Sequence, residues 1–428
     1  MMDDTELQHA LRRQLPALTT PVAPPEDAAS RVRRAVWRRR RRARVAVGAG
    51  VAATLALVVL VPLAVAGGIG SDSSGDPADD DGVGRWEPIA PSPLSARAGS
   101  ASVWTGEEMI VVGGNVGPPC PPTADCGGPG PDQLLADGAA YDPRTDTWRP
   151  IADAPVPLTN ARAAWTGQEM VVLDTQAMPY GEPGHTFAYD PDADAWRELE
   201  PPPNAFLIGG VWNGQELFYW QSEERAGSAD WSLDPSTGRW TRLPDDPFDP
   251  TFDRAYVWIG DRFVFLGLEK RGGDDKAFQV AEYDPESRTW TRLPESPVGF
   301  GGVDWFFHQG YVVNPYEDPR FDSERPRGGA YDPATGMWLA TPKSGHYVYD
   351  SCQLGPLGSA GDWVAPAGGV LYSLEPADTV VAPECPQLPE PAAAAWTGEQ
   401  VVIWGGPNRA YKANTDLGLS WTPPRASD

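Results

Sequence analysis

The feature that most constrains this chain is a spaced signature, Tyr141-Asp142-Pro143-Arg144-Thr145-Asp146-Thr147-Trp148. It returns as Tyr189-Asp190-Pro191 to Trp196, Leu233-Asp234-Pro235 to Trp240, Tyr283-Asp284-Pro285 to Trp290 and Tyr331-Asp332-Pro333 to Trp338. The Asp positions advance by 48, 44, 50 and 48 residues. A period of that size marks one supersecondary unit that cannot bury its apolar faces alone and must stack on copies of itself.

A second signature precedes the first in each copy. Trp104-Thr105-Gly106, Trp165-Thr166-Gly167, Trp212-Asn213-Gly214, Trp258-Ile259-Gly260 and, near the end, Trp396-Thr397-Gly398 share a Trp-x-Gly pattern. Asn-Gly at 213–214 is a strong hairpin signal, and the Thr-Gly copies occupy the same place. Asp-Pro starts a turn, because Asp bonds to the backbone two residues on and Pro presets φ. After each Trp-x-Gly come apolar runs, Met109 to Val112, Met170 to Leu173, Leu217 to Trp220, Phe263 to Leu266 and Val401 to Trp404. Runs of that length fit strands buried on both faces. The expected unit is a four-stranded antiparallel sheet with Trp facing a neighbouring layer. The 93 Pro and Gly residues suit a turn-rich chain, and the 43 aromatic residues supply core material that a disordered chain lacks.

The pattern resembles the kelch family of β-propellers, whose repeats run near 50 residues with four strands per blade. The family's double glycine after the second strand is matched by Gly113-Gly114 and Gly405-Gly406, and is replaced in middle copies by Leu173-Asp174 and Asn314-Pro315. The resemblance covers nearly all of 85–421, which holds about seven periods. A degenerate sixth copy is expected between Ser351 and Pro389 and a seventh over Ala392 to Trp421. Arg85-Trp86-Glu87-Pro88-Ile89-Ala90 repeats Thr147-Trp148-Arg149-Pro150-Ile151-Ala152 without a blade of its own. It is expected to close the ring as the last strand of the final blade, unless Trp421 fills that place and six blades form.

The rest of the chain is organised by charge. Residues 1–70 hold 11 Arg against 5 acidic residues, leaving 23 basic and 54 acidic residues beyond them. Nine Arg between Arg31 and Arg44 precede Val45 to Ala66, 22 residues without a charge. As a helix that run spans about 33 Å, enough to cross a bilayer. The Arg flank sets it cytoplasmic, with Asp72, Asp76, Asp79, Asp80 and Asp81 outside. The expected organisation is a cytoplasmic Arg-rich tail at 1–44, a transmembrane helix at 45–66, an acidic linker at 67–84, an extracellular propeller at 85–421 and a short tail at 422–428. Cleavage after Ala64-Val65-Ala66 is the competing reading, though the apolar run and its preceding flank are both longer than in a signal peptide. In the tail, Leu7, Leu11 and Leu15 form one helical stripe that could meet a cytoplasmic partner. An anti-sigma-like zinc module is unsupported, since only His9 and no Cys lies there.

The acidic body repels nucleic acid, so no nucleic-acid partner is expected. Cys120, Cys126, Cys352 and Cys385 all fall in the outer portion, where disulfides persist. Cys120 and Cys126 bracket a Pro-rich loop, and Cys352 and Cys385 flank the degenerate sixth copy. No metal or other cofactor is assigned. His185, His308 and His346 pick out no copper set such as kelch-like radical oxidases use, and Asp190, Asp192 and Asp194 lack the Gly and Glu of a calcium loop. No phosphate loop, HExxH or nucleophile elbow occurs, so no catalytic residue is named. The expected function is a membrane-anchored extracellular module that binds a protein or glycan. Its ligand contacts are placed on the long connections between second and third strands, at Tyr180, Arg225, Tyr316, Arg320 and Arg325. An extracellular enzyme on the same scaffold, or a sensor signalling through the tail, are the rival classes.

Overall fold

Each apolar run that follows a Trp-x-Gly motif forms the second strand of a four-stranded sheet. The computed structural model describes residues 85–424, apart from 121–125, 175–183, 205, 222–228, 270–276, 299–304, 315–327, 340–356, 361–362, 366–369, 375–376, 384–387, 389, 409 and 411. The segment expected to cross the membrane lies outside these residues. Among those described, no helix is long and apolar enough to cross a bilayer.

Strand β1 (Glu87–Pro88) comes first. The first sheet then runs through β2 (Ala101–Trp104), β3 (Met109–Val112), β4 (Gly138–Asp142) and β5 (Thr147–Ile151). The second has β6 (Arg162–Trp165), β7 (Met170–Asp174), β8 (His185–Asp190) and β9 (Ala195–Glu198). The third has β10 (Leu207–Trp212), β11 (Leu217–Gln221), β12 (Trp231–Asp234) and β13 (Arg239–Arg242). The fourth has β14 (Thr251–Trp258), β15 (Phe263–Glu269), β16 (Phe278–Asp284) and β17 (Thr289–Arg292). The fifth has β18 (Phe306–His308), β19 (Tyr311–Asn314), β20 (Gly329–Asp332) and β21 (Met337–Leu339). The sixth, in the degenerate region, has β22 (Gly358–Ala360), β23 (Trp363–Ala365), β24 (Val370–Leu374) and β25 (Ala377–Val381). The seventh has β26 (Ala393–Trp396), β27 (Val401–Pro407) and β28 (Asn414–Trp421), and takes β1 as its fourth strand.

All seven sheets are four-stranded and antiparallel. Their first strands neighbour one another in a closed cycle, β2 beside β6, then β10, β14, β18, β22, β26 and again β2. This is a propeller-like ring. Alternation along the second strands explains why their apolar runs are continuous. In β3, Ile110 and Val112 pack with Met170 and Val172 of the second sheet, while Met109 and Val111 pack with Val402 and Trp404 of the seventh. Every side chain of β3 is fully buried, and each contributes on the order of 1.5–3 kcal/mol.

The Tyr-Asp-Pro to Trp motif links sheets as well as turning the chain. The motif's first Asp accepts the backbone N–H two residues on, with Arg144 at 2.9 Å, Asp192 at 2.9 Å, Ser236 at 2.9 Å, Glu286 at 2.9 Å and Ala334 at 2.8 Å. Trp148, Trp196, Trp240 and Trp290 then donate Nε1–H to the carbonyls of Ala90, Ala152, Glu200 and Pro244, in the segments leaving the preceding sheet, at 3.0, 2.8, 2.9 and 3.1 Å. In two copies a second carboxylate completes the latch. Asp146 accepts Tyr141 Oη–H at 2.8 Å and the N–H of Ala90 at 2.7 Å, and Asp194 accepts Tyr189 Oη–H and the N–H of Ala152, both at 2.7 Å. Asp190, Asp192 and Asp194 therefore form an ordinary copy of this turn.

Ring closure follows the expectation for Trp86. Glu87 pairs with Ser420 and Pro88 with Leu419, and the N–H of Ile89 reaches the Gly418 carbonyl at 3.1 Å. Trp421 ends β28, the third strand of that sheet, and packs its ring 6.0 Å from Trp86, so it does not take the outer place. The Trp-x-Gly turns differ from the two-residue hairpin expected at Asn213-Gly214. Thr105, Thr166, Asn213 and Thr397 accept backbone N–H groups two and three residues on through their side chains, which widens the connection to four residues. A tight two-residue turn occurs instead at Gln309-Gly310, where φ is 49° and 90°. Its flanking His308 stands where other copies have Trp, which hid this copy from the motif.

Candidate functional site

Antiparallel order puts the connections of each sheet at two ends. At one end lie the Trp-x-Gly and Asp-Pro turns, which span at most four residues, as in 105–108 and 143–146. At the other lie the connections between second and third strands, which range from 366–369 to 113–137. The first kind repeats and satisfies its own hydrogen bonds. The second kind varies from sheet to sheet.

The first sheet carries the longest of these varied connections, and the described residues at its start are tied down by hydrogen bonds. Gly113 and Gly114 leave β3 with φ of 68° and 99°, and a Cβ on Gly114 would lie 2.8 Å from the Ala98 carbonyl. Only glycine combines that φ with so close an approach. Asn115 then donates to Ala98 O and Thr159 Oγ1, both at 3.2 Å, while Asn414 donates to Gly117 O at 3.0 Å. Residues before two first strands, β2 and β6, and one on β28 of the seventh sheet are thereby tied to one loop. Cys120 and Cys126 are disulfide-bonded with Cα atoms 5.9 Å apart, as expected.

Two buried arginines brace this end. Arg97 is fully buried and grips Asp137 with both Nη atoms at 2.7 and 2.8 Å, while also donating to the carbonyls of Ser95 and Gly113. The hydrogen bond from Arg97 holds the Asp137 carboxyl below the usual range. Arg254, on β14, donates to Asp230 at 2.8 and 2.6 Å and to Asp246 at 2.8 Å. Tyr256 adds its hydroxyl to Asp230 at 2.6 Å, and burial followed by the Asp230 charge pushes that hydroxyl far above its ordinary pKa. These charges are spent on architecture, since each polar contact is made within the protein.

Arg162, at the start of β6, is different. It is solvent-exposed and makes no hydrogen bond or ion pair with the described residues, yet surrounding protein desolvates its guanidinium and lowers its pKa. On the next first strand, Phe206 immediately precedes β10 and is 72% exposed, its N–H held by Asn204 Oδ1 at 3.0 Å.

The sequence-derived contacts Tyr180, Arg225, Tyr316, Arg320 and Arg325 fall in the connections after β7, β11 and β19, outside the described residues. Cys352, Cys385 and His346 also lie outside them. His185 on β8 stacks against Phe187 at 5.6 Å and His308 on β18 is buried, so the two belong to the second and fifth sheets. Among the described residues, no group of three His, Cys, Asp or Glu side chains could hold a metal ion. Sequence reasoning missed Arg97, Arg162 and Arg254, because they occupy positions that the repeat does not conserve from copy to copy. Compared with known proteins, the chain matches no family model and no curated relative.

Proposed function

We propose that this chain is a membrane-anchored, kelch-type propeller that acts as an extracellular binding module for a protein or glycan. The observation that carries the reading is the unequal treatment of the two ends of the ring. Short, self-satisfied turns repeat at one end, while connections of unequal length gather at the other. Loops that vary on a rigid scaffold are where recognition concentrates. The kelch assignment draws support from Gly113-Gly114 and Gly405-Gly406, whose φ values of 68°, 99°, 69° and 98° place both pairs in one conformation. The anchor rests on the uncharged run from Val45 to Ala66 behind its arginine flank.

Two measurements test this reading on the full-length chain. Protease added to intact cells should remove 85–421 and spare 1–44, and protection of the propeller would overturn the topology. Proximity crosslinking from the long-connection end should capture a surface protein or glycan. Alanine at Tyr180, Arg225, Tyr316, Arg320 or Arg325 should weaken that capture by roughly 1–2 kcal/mol at a hot spot. If substitutions beside Gly106, Gly167 or Gly214 abolish capture while those five leave it intact, the binding face is the opposite one.

A further inference from the structure

The connection from β3 to β4 is closed twice. Its base is tied by hydrogen bonds, from the N–H of Val116 to the Gln133 carbonyl at 3.0 Å, from the N–H of Leu135 to the Gly114 carbonyl at 3.0 Å, and from the N–H of Gly130 to Gln133 Oε1 at 2.8 Å. Asn414 and Asn115 fasten the same base to the seventh sheet and to the segments before β2 and β6. A Cβ on Gly117 would lie 3.4 Å from Pro129 Cβ, so the two arms of the connection already meet there. The Cys120–Cys126 disulfide lies beyond that contact and joins residues only six apart in sequence. A cross-link acts mainly by restricting the unfolded chain, and its effect grows with the loop it closes. Here the loop is short and its base is held without the cross-link. Opening the disulfide therefore frees the tip alike in the folded and the unfolded chain, and leaves the ring in place.

Cys120 and Cys126 are both exposed. Exposed disulfides are the labile ones, and exchange requires a thiolate to reach one sulfur in line with the S–S bond. The two sulfurs differ in their cover. Cys120 has a proline on each side in sequence, Pro119 and Pro121, whereas Cys126 is followed by Gly127 and Gly128. Both glycines are exposed, and a Cβ on Gly127 would meet nothing within 4 Å. We propose that the Cys120–Cys126 disulfide is an exchange site for low-molecular-weight thiols, attacked at Cys126. The incoming thiolate bonds to Cys126 Sγ as the bond between Cys126 and Cys120 breaks, and the electron pair leaves on Cys120 Sγ, which then takes a proton from water. A mixed disulfide remains on Cys126, and attack by the Cys120 thiolate reverses the step. Exchange switches the tip of this connection between a clipped and an open form, whatever macromolecule the ring binds.

The probe is 2-mercaptoethanol, added in rising amounts to the purified full-length chain and quenched with N-ethylmaleimide. Peptide mapping by mass spectrometry then reads each cysteine separately, so Cys352 and Cys385 do not confuse the result. The Cys120–Cys126 bond should open in the folded chain with no change in thermal midpoint. The trapped mixed disulfide should sit on Cys126 severalfold more often than on Cys120, which should carry the maleimide. Gly127→Val places a branched side chain in the open approach and should slow the exchange severalfold at an unchanged midpoint. The double variant Cys120→Ser with Cys126→Ser should melt with the unaltered chain. Opening only under conditions that unfold the ring, a mixed disulfide equally or mainly on Cys120, or an unchanged rate in Gly127→Val would each overturn the proposal. A clearly lower midpoint in the double variant would do so as well, because the clip would then be holding the fold.

Discussion

Trp86 donates its indole N–H to the carbonyl of Pro383, 297 residues later in the chain, at 2.8 Å. It thereby does for the seventh sheet what Trp148 does with Ala90 and Trp196 with Ala152. The same bond, present in the first four sheets and the seventh, holds the outer strand of one sheet to the segment leaving the previous one. Only at the seventh sheet do its two ends come from opposite ends of the fold.

Replacing Trp86 with Ala should therefore cost about 3–5 kcal/mol, the range for deleting a buried aromatic side chain, and should also loosen ring closure. Trp86 is only 7% exposed and packs with Trp363, Trp396 and Trp421. Urea unfolding measures the loss. Deleting Arg85 to Ala90 should go further and expose the β28 edge to aggregation, visible by light scattering. A deletion variant that stays monomeric with an unchanged melting temperature would remove β1 from the closure.

The buried Arg254 cluster gives a second test. Arg254→Ala leaves Asp230 and Asp246 buried without their counter-charge, and about 3–5 kcal/mol of stability should be lost. Arg149→Ala breaks the partly exposed pair with Glu108, held at 2.6 Å, and should cost at most about 1 kcal/mol. Denaturation midpoints of the two variants should separate clearly. Equal, small losses would mean that the cluster relaxes into water when opened.

Glycines in the two kinds of left-handed site should respond unequally. Gly106 has φ of 96° and open space where a Cβ would go, so Gly106→Ala should cost only the backbone term, about 1–2 kcal/mol. Gly406 has φ of 98°, but its Cβ would collide with the Glu390 carbonyl, so Gly406→Ala should cost more than Gly106→Ala. The ranking is read from thermal midpoints, and a reversed order would contradict the close approach at Gly406.

Acid should weaken the fold through Asp137 and Asp194. The Arg97 hydrogen bond holds Asp137 below its ordinary pKa, and the N–H of Ala152, then Tyr189, do the same for Asp194. Carboxyls lowered in the folded state stabilise it fully above the unfolded value of about 3.9, and the contribution is lost as pH falls through the folded values. Stability should thus decline below about pH 4, and Asp137→Asn should flatten the decline. An unchanged slope in that variant would show that other carboxyls set the acid limit.

How much of this was legible beforehand depends on whether a residue's role is local. The Asp-Pro turns were readable because Asp142 and its equivalents bond only two residues along the chain. The second strands were readable because burial on both faces leaves an unbroken apolar run, and Trp86 because it repeats the Trp148 segment. The sixth sheet was expected only from spacing, since its sequence carries neither motif. By itself, then, the sequence determined the repeat, the strand pattern and the partner of its first strand. Only the tertiary structure decided that seven sheets close one ring and that Arg97 and Arg254 are consumed by carboxylates. Those outcomes depend on which first strands lie side by side: Arg254 meets Asp230 and Asp246 only because β14 is packed beside the third sheet.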